Sequence, residues 1–201
     1  FMIFEGTFLK MPTSIGKPIQ YYLNLSQDLL SVNQLIGEIN IKQKNKKMKY
    51  KGVIFDLDGT LVNSLEDIAN AMNQVLQSLN FPTHSYEKYQ YFVGSGLRNL
   101  VSKSLPETHN DENQIDHCFE LMIAIYREKC THQTYFYEGI IELLDYLKAH
   151  NIKLSVFSNK ADELTKKVVA TLFPNYFDAV VGLTTESLKK PNAFEAIEIS
   201  K

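Results

Sequence analysis

The feature that most constrains this chain is a short apolar run that ends directly in two acidic residues and a glycine. Residues 53–55 are continuously apolar, which is typical of a strand buried on both faces of a parallel sheet. Asp56 and Asp58 follow at once, and Gly59 comes next. Ligands of open α/β sheets bind at the carboxyl ends of the strands. The pattern therefore predicts a site that contains both carboxylates.

Two other interpretations of this stretch are open. The dipeptide Asp58-Gly59 is a common signal of a tight turn in a β-hairpin. A calcium-binding loop also carries spaced acidic residues, but its glycine comes sixth and a helix precedes it. Here the glycine is fourth, counted from Asp56, and a strand pattern precedes it. The calcium loop is therefore disfavoured, whereas a decision about the turn needs further motifs.

Strand-like and helical patterns alternate over the C-terminal part of the chain. Residues 154–157 and 179–181 are continuously apolar, and helical patterns cover residues 140–148 and 162–172. Alternation of this kind predicts βαβ units. We therefore expect an α/β fold whose core is a doubly wound, Rossmann-like parallel sheet.

The stretch between the first strand and the rest of this pattern consists of one helical pattern after another. Ser64 is placed to cap a helix, with Asp67 three positions on, and the apolar residues that follow recur at helical spacing. Further helical patterns cover about residues 86–92, 97–105 and 115–130. We predict an all-helical cap domain at residues 64–134, inserted into the core. The alternative is additional helical packing within one domain.

The other domain boundaries follow from a sharp change of composition near residue 48. Short strand-like pieces occur before it, at residues 1–9 and 18–25. A lysine-rich run follows them and is more typical of a solvated linker than of a binding patch. We predict that residues 1–47 are an N-terminal extension of unknown role. Residues 48–63 and 135–201 then form the α/β core.

Composition limits the classes of function. A chain of 201 residues with 44% apolar residues can bury one ordinary core and a second, smaller one. The formal net charge of -2 gives no reason to expect nucleic acid or an anionic membrane as a partner. Glu5 and Lys10 interrupt the apolar stretch near the N-terminus, so neither a signal peptide nor a membrane span is predicted. We expect a soluble, cytoplasmic protein.

The two cysteines are predicted to be thiols in or near a core. Cys118 and Cys130 fall in one predicted helix, where twelve positions separate them by roughly 18 Å. That separation excludes a disulfide while the helix is intact. A single zinc ion could not join them with the neighbouring His117 and His132 for the same reason. We therefore predict no zinc site.

Three motifs give the chain a resemblance to a known family. DLDGTLVNS at residues 56–64 resembles the first signature of hydrolases of the haloacid dehalogenase superfamily. VFSNK at residues 156–160 resembles the second, and Lys189-Lys190-Pro191 resembles the third. VGSGL and YEGI, at residues 93–97 and 137–140, resemble the phosphoglycolate phosphatase branch, which has a helical C1-type cap and usually carries proline in place of Glu138. The resemblance covers about residues 48–201.

The resemblance implies a magnesium-dependent phosphatase that hydrolyses a small phosphorylated metabolite, phosphoglycolate-like, through an aspartyl-phosphate. Asp56 would be the nucleophile, since a carboxylate can split a hard hydrolysis into two easier transfers. Asp58 would protonate the leaving oxygen and then deprotonate water. Both residues would contact the Mg²⁺ ion, Asp58 through its backbone carbonyl oxygen. The residues expected to bind phosphate are Ser158, Asn159 and Lys190, with helix capping as the alternative for Asn159, and Arg98 of the cap is expected to contact the far end of the substrate.

One signature of the family is missing. A strand ending in Gly-Asp-x-x-x-Asp supplies further magnesium carboxylates in these hydrolases, whereas no Gly-Asp pair occurs here and the sequence stops eleven residues after Lys190. The chain is thus expected to be truncated before this motif, and to be poorly active and poorly stable as written. The alternatives kept open are a pyrophosphatase, a β-phosphoglucomutase-like phosphotransferase and a non-catalytic chain.

Overall fold

The computed structural model describes residues 2–4 and 51–201 of the chain. Four strands in these ranges form a parallel sheet with the order β1-β2-β5-β6, and two more form an antiparallel pair, β3-β4. The strands are β1 (Met2–Phe4), β2 (Gly52–Phe55), β3 (Val62–Asn63), β4 (Tyr135–Phe136), β5 (Lys153–Ala161) and β6 (Ala179–Leu183). The parallel sheet confirms the predicted α/β fold class.

Helices account for most of the remaining described residues. They are α1 (Leu65–Ser78), α2 (Tyr86–Tyr89), α3 (Leu97–Ser104), α4 (Glu112–Lys129), α5 (Ile140–Ala149), α6 (Asp162–Leu172) and α7 (Phe194–Ile199), with single 3₁₀ turns at Glu107–His109 and Glu186–Leu188. Each predicted helix has a counterpart, although α2 is shorter than its prediction. None of the helices within residues 51–201 is long and apolar enough to cross a membrane.

Strand β2 is buried on both faces, as its continuous apolar sequence predicts. Val53 and Phe55 belong to the large apolar cluster on one side of the sheet. Ile54 belongs to a smaller cluster on the other side, with Phe157 of β5 and Ala196 of α7. A strand whose neighbouring side chains enter different clusters has no face left for water.

Helices α1 to α4 lie between β3 and β4 in the chain, and we call residues 65–129 the helical insert. Its two connections to the rest of the molecule run side by side, because Val62 pairs with Phe136 and Asn63 with Tyr135. The helical content of this region agrees with the predicted cap, and the domain boundaries themselves stay predictions.

Ser64 occupies the predicted N-cap position of α1, but its side chain does not cap the helix. Ser64 makes no side-chain cap to α1, and its hydroxyl donates instead to Asp58 Oδ1 at 2.5 Å. The Asp67 carboxylate accepts from the backbone N–H groups of Gln133 and Thr134 and from the Thr134 hydroxyl, at 2.7–3.0 Å. Tertiary partners therefore replace the local ones, and Asp67 ties the first helix of the insert to the connection that leaves it.

Strand β1 belongs to the segment predicted as an N-terminal extension. It pairs in parallel with β2 at the edge of the sheet, with Met2 opposite Val53 and Phe4 opposite Phe55. The predicted piece at residues 18–25 and the lysine-rich run up to residue 50 lie outside the described residues. The two cysteines, Cys118 and Cys130, are free and buried, which confirms that they are thiols of the core.

Candidate functional site

Asp56 and Asp58 lie in the turn that directly follows β2. The N–H groups of Thr60, Leu61 and Val62 all point to the carbonyl oxygen of Leu57, at 3.0–3.2 Å. Gly59 has φ +76°, a left-handed conformation that side chains rarely adopt. The Leu57 side chain is fully buried, so the acids on either side of it emerge together at the strand end.

Each carboxylate is held by a lysine, and each lysine is more deeply buried than its partner. Lys190 Nζ lies 3.0 Å from Asp56 Oδ1, with 5% and 13% of the two side chains exposed. Lys160 Nζ lies 2.9 Å from Asp58 Oδ1, with 1% and 15% exposed. The open sides of both carboxylates therefore remain accessible while the cations behind them are sealed from solvent.

The Asp56 carboxylate is oriented by groups of the core. Its Oδ1 accepts from the Leu57 N–H at 2.8 Å and from Lys190. Lys190 also donates to the carbonyl oxygen of Phe157, within β5, at 3.2 Å. The lysine of the third motif thus reaches the first acid of the first motif, and both are anchored by backbone groups of neighbouring strands.

Three polar contacts from the described part of the chain hold the Asp58 carboxylate. Lys160 Nζ donates to Oδ1 at 2.9 Å and to Oδ2 at 3.2 Å, and the Ser64 hydroxyl donates to Oδ1. Lys160 Nζ also donates to the hydroxyl of Tyr126, in α4 of the insert, at 2.6 Å. Burial alone would lower the pKa of Lys160, but the Asp58 carboxylate and the Tyr126 oxygen outweigh it and raise that pKa above its usual range.

Ser158 and Asn159 lie in β5, beside the end of β2. The Ser158 hydroxyl is buried and accepts from the Lys160 N–H at 3.2 Å. Asn159 Oδ1 accepts from the Lys190 N–H at 2.8 Å, and its Nδ2 donates to the carbonyl oxygen of Gly94 in the insert at 3.3 Å. Helix capping by Asn159 is wrong, because α6 begins at Asp162 and its N-cap residue is Ala161.

A cavity separates these groups from the helical insert. Its floor is polar and comes from the strand ends, whereas its roof is mainly apolar and comes from α1, α3 and the loop before α3. The lining residues are Asp56, Asp58, Ser158, Asn159 and Lys160 below, and Ile68, Val93, Gly94, Gly96, Leu97 and Leu100 above. Such a cavity can take a small ligand with one anionic end.

Arg98 is not brought to this cluster. Its guanidinium pairs with Glu112 at 2.6 Å and Asp116 at 2.7 Å, which ties α3 to α4. The Glu112 and Asp116 carboxylates raise the pKa of Arg98 further above its already high value. The substrate contact predicted for Arg98 stays a prediction, and it requires that the guanidinium leave both carboxylates.

Sequence reasoning missed Lys160, Tyr126 and the true role of Ser64. Lys160 is the last residue of the second motif, VFSNK, and its place in that motif was the signal available in the sequence. Tyr126 offers no such signal, because a tyrosine at a helical core position is ordinary.

The oxygen atoms at the strand end suit a divalent cation such as Mg²⁺. Proteins usually hold Mg²⁺ through one or two carboxylates together with substrate phosphate oxygens and water. Asp56 and Asp58 supply such a donor set, although no group of three or more His, Cys, Asp or Glu residues suited to a metal is found within residues 2–4 and 51–201. The residues present therefore fit a cation that is shared with a substrate.

The chain is similar to known hydrolases over most of its described length. A family model described as haloacid dehalogenase-like hydrolase matches residues 53–199. The phosphoglycolate phosphatase of Aquifex aeolicus is 36% identical over 141 residues, which cover 70% of this chain and 64% of the relative. That of Agrobacterium fabrum is 34% identical over 143 residues, covering 70% and 61%.

Solved structures agree with these relatives. The crystal structure of a predicted phosphoglycolate phosphatase from Haemophilus somnus aligns with a TM-score of 0.67 and 25% identity, over 77% of this chain and 72% of the other. The chain spans just under two thirds of the length of the two curated relatives named above.

Proposed function

The chain belongs to the haloacid dehalogenase-like hydrolases, and on that premise we propose that it is a phosphatase of a small phosphorylated metabolite. Phosphoglycolate is the first candidate substrate. One observation carries the proposal: two carboxylates, two residues apart in the chain, share one cavity, and each has its own buried lysine. Their environments differ, which suits two different chemical roles.

Asp56 is proposed as the nucleophile. One of its carboxylate oxygens attacks phosphorus, a new O–P bond forms, and the bond from phosphorus to the leaving oxygen breaks. The product is an aspartyl-phosphate and an alcohol. Lys190 holds the attacking carboxylate, and its positive charge offsets the negative charge that gathers on the phosphoryl oxygens.

Asp58 is proposed as the general acid and base. In the first step its carboxyl proton goes to the leaving oxygen. In the second step its carboxylate takes a proton from water, whose oxygen attacks phosphorus and releases inorganic phosphate and free Asp56. A positioned group of this kind contributes about 10² to 10⁴ in rate.

Two further side chains and a metal ion are proposed to support binding. The Ser158 hydroxyl and the Asn159 amide line the floor of the cavity. The hydroxyl can donate to a phosphoryl oxygen, and the amide can do so once it leaves the Gly94 carbonyl oxygen. Asp56 and Asp58 are the residues proposed to hold Mg²⁺, which when bound would polarise the phosphate and reduce its charge repulsion with the carboxylates. Electrostatic stabilisation is needed on this scale because phosphate monoesters are among the slowest compounds to hydrolyse in water.

The size of the cavity supports a small substrate. It measures about 30 Å³, and each enclosed water molecule needs roughly 10–15 Å³. This limited space lies directly beside the two carboxylates, which favours a compact metabolite, in agreement with the names of the relatives.

A phosphate-release assay across 2-phosphoglycolate, β-glucose 1-phosphate and pyrophosphate, with Mg²⁺, tests the proposal. We expect 2-phosphoglycolate to release phosphate fastest, and Asp56→Asn to lower kcat by about 10⁴-fold or more, as for other nucleophiles. Asp145→Asn, a matched change at an exposed carboxylate, should leave kcat unaltered. If the Asp56→Asn variant released phosphate as fast as the parent, Asp56 would not be the nucleophile. A phosphoryl group retained on the sugar product would indicate a phosphotransferase.

A further inference from the structure

The second lysine of the site is built into a contact that links the core to the helical insert. Lys160 lies in β5, Asp58 follows β2, and Tyr126 lies in α4 of the insert. The ammonium group donates to both oxygens of Asp58 and to the Tyr126 hydroxyl. Lys160 therefore links the insert to the Asp58 carboxylate.

The backbone of Lys160 is fixed on both sides. Its N–H donates to the Ser158 hydroxyl at 3.2 Å, and its carbonyl oxygen accepts from the Thr165 hydroxyl, in α6, at 3.0 Å. Register places Phe55 opposite Val156, so β5 continues beyond the end of β2 and carries Lys160 above the turn that holds Asp58. The lysine thus extends from a rigid element, which is the arrangement that positions a partner accurately.

All three N–H donors of the Lys160 ammonium have acceptors in this arrangement. A buried cation is costly unless its donors are all paired, and an ammonium has three. Lys160 directs its donors at the two carboxylate oxygens and one phenolic oxygen, at 2.6–3.2 Å. Its ammonium also lies 4.7 Å from the centroid of the Tyr126 ring. The ammonium therefore has little freedom, and the carboxylate it holds shares that restriction.

We propose that Lys160 is a positioning residue for the acid–base carboxylate of Asp58, and that Tyr126 makes this positioning depend on a seated insert. The inference rests on the proposed function. Proton transfer requires a donor and an acceptor at hydrogen-bonding distance, and a misplacement of about 1 Å can cost on the order of 10²-fold in rate. Lys160 and Ser64 fix the direction of the carboxylate from behind, and Tyr126 anchors Lys160 from the insert.

Two substrates separate this role from a structural one. The alkoxide of 2-phosphoglycolate needs a proton as its P–O bond breaks, whereas the nitrophenolate of p-nitrophenyl phosphate leaves as a stable anion without one. For p-nitrophenyl phosphate, a misplaced Asp58 should spare formation of the aspartyl-phosphate and slow only the attack of water on it. A variant with this defect should release a burst of about one nitrophenolate per protein molecule and then turn over slowly.

The experiment compares Lys160→Met, Lys160→Arg and Tyr126→Phe with the parent full chain on both substrates. For Lys160→Met we expect kcat for 2-phosphoglycolate to fall about 10²-fold with little change in KM, together with the burst on p-nitrophenyl phosphate. Lys160→Arg should recover part of the loss, because it restores the charge. Tyr126→Phe keeps the ring and should give the same pattern at roughly five- to tenfold.

The control is Lys166→Met, which removes an exposed lysine paired with Asp162 in α6 and should leave both rates unchanged. Equal losses on both substrates without a burst, or a rise in KM alone, would overturn the positioning role of Lys160. Circular dichroism identifies any variant that fails to fold, and Tyr126→Phe then decides the matter. If the parent itself forms no aspartyl-phosphate, the proposed function fails along with this inference, whereas an active parent with a parent-like Lys160→Met defeats this inference alone.

Discussion

Two lysine–aspartate pairs lie at the carboxyl ends of the strands of the parallel sheet, and they differ in which parts of the chain hold them. The Lys190 ammonium and the Asp56 carboxylate are anchored by backbone groups of the core, at Phe157 and Leu57. Lys160 and Asp58 are anchored by β5 on one side and by Tyr126 of the helical insert on the other. Similar ion pairs can therefore be held by different parts of the chain, and the carboxylate proposed to move protons is held by a lysine that contacts the insert directly.

The largest effect that tests this comparison is expected from Lys190→Met. Loss of a cation beside the transferring phosphoryl group should lower kcat by about 10² to 10³, the range found for single electrostatic stabilisers. The loss should be similar on 2-phosphoglycolate and p-nitrophenyl phosphate, because Asp56 must attack phosphorus in both substrates for their leaving groups to depart. Steady-state kinetics on the two substrates measure it, and Lys189→Met, at the half-buried neighbouring lysine paired with Glu186, is the matched control. A burst like that expected for Lys160→Met would mean that the two pairs do not differ.

A smaller effect is expected from combining the changes at Lys160 and Tyr126. If Tyr126 acts through Lys160, then Tyr126→Phe in the Lys160→Met background should change kcat by less than about twofold, although it costs five- to tenfold alone. Residues that share one network show such non-additivity. In the Lys190→Met background the Tyr126→Phe effect should persist in full. Additive losses in the Lys160→Met background would show that Tyr126 acts by another route.

The smallest effect is expected at the amino ends of the strands, where an ion pair is open to solvent. Lys153 lies 2.9 Å from Asp178, whose carboxylate also accepts from the Leu154 N–H. The Lys153 ammonium and this N–H lower the pKa of Asp178. A lowered pKa means that the contribution to stability is present above the ordinary pKa of an aspartate, near 3.9, and is lost as the pH falls through the lower folded value.

Asp178→Asn should therefore lower the free energy of unfolding at pH 7 by roughly 0.5 kcal/mol, a value discounted for solvent screening. The difference from the parent should shrink as the pH approaches 3. Urea denaturation at both pH values measures it. A loss above about 2 kcal/mol would show that this exposed pair behaves like the buried pairs at the carboxyl ends of the strands.

Much of the fold and half of the site follow from rules that act over short stretches of sequence. The continuous apolar sequence of β2 requires burial on two faces, and the ends of parallel strands meet at one edge. Asp56, Asp58 and Ser158 could be placed together on that basis alone. Lys190 needed the motif resemblance as well, because an isolated lysine is ordinarily a surface residue.

The parts that could not be predicted depend on contacts between distant stretches. Ser64 has a good local role as a helix cap, but the Asp58 carboxylate offers its hydroxyl a charged partner, and charge-assisted hydrogen bonds are stronger than neutral ones. Lys160 is 102 positions from Asp58, and no periodicity connects them. Arg98 was predicted to contact the substrate because its partners in the fold could not be read from the sequence. These partners, Glu112 and Asp116, lie in a different helix, α4.

The pairing of β3 with β4 has a consequence for how such proteins diversify. Because Val62 and Phe136 lie opposite each other, the helical insert leaves the core and returns at a single point, and the core strands keep their register whatever lies between. A lineage can lengthen, shorten or exchange that segment without rebuilding the strand end that carries the two acids. Selection can therefore change which molecule enters while the strand end with its two acids is inherited, and the role proposed for Lys160 makes its contact with Tyr126 one that a replacement segment has to reproduce.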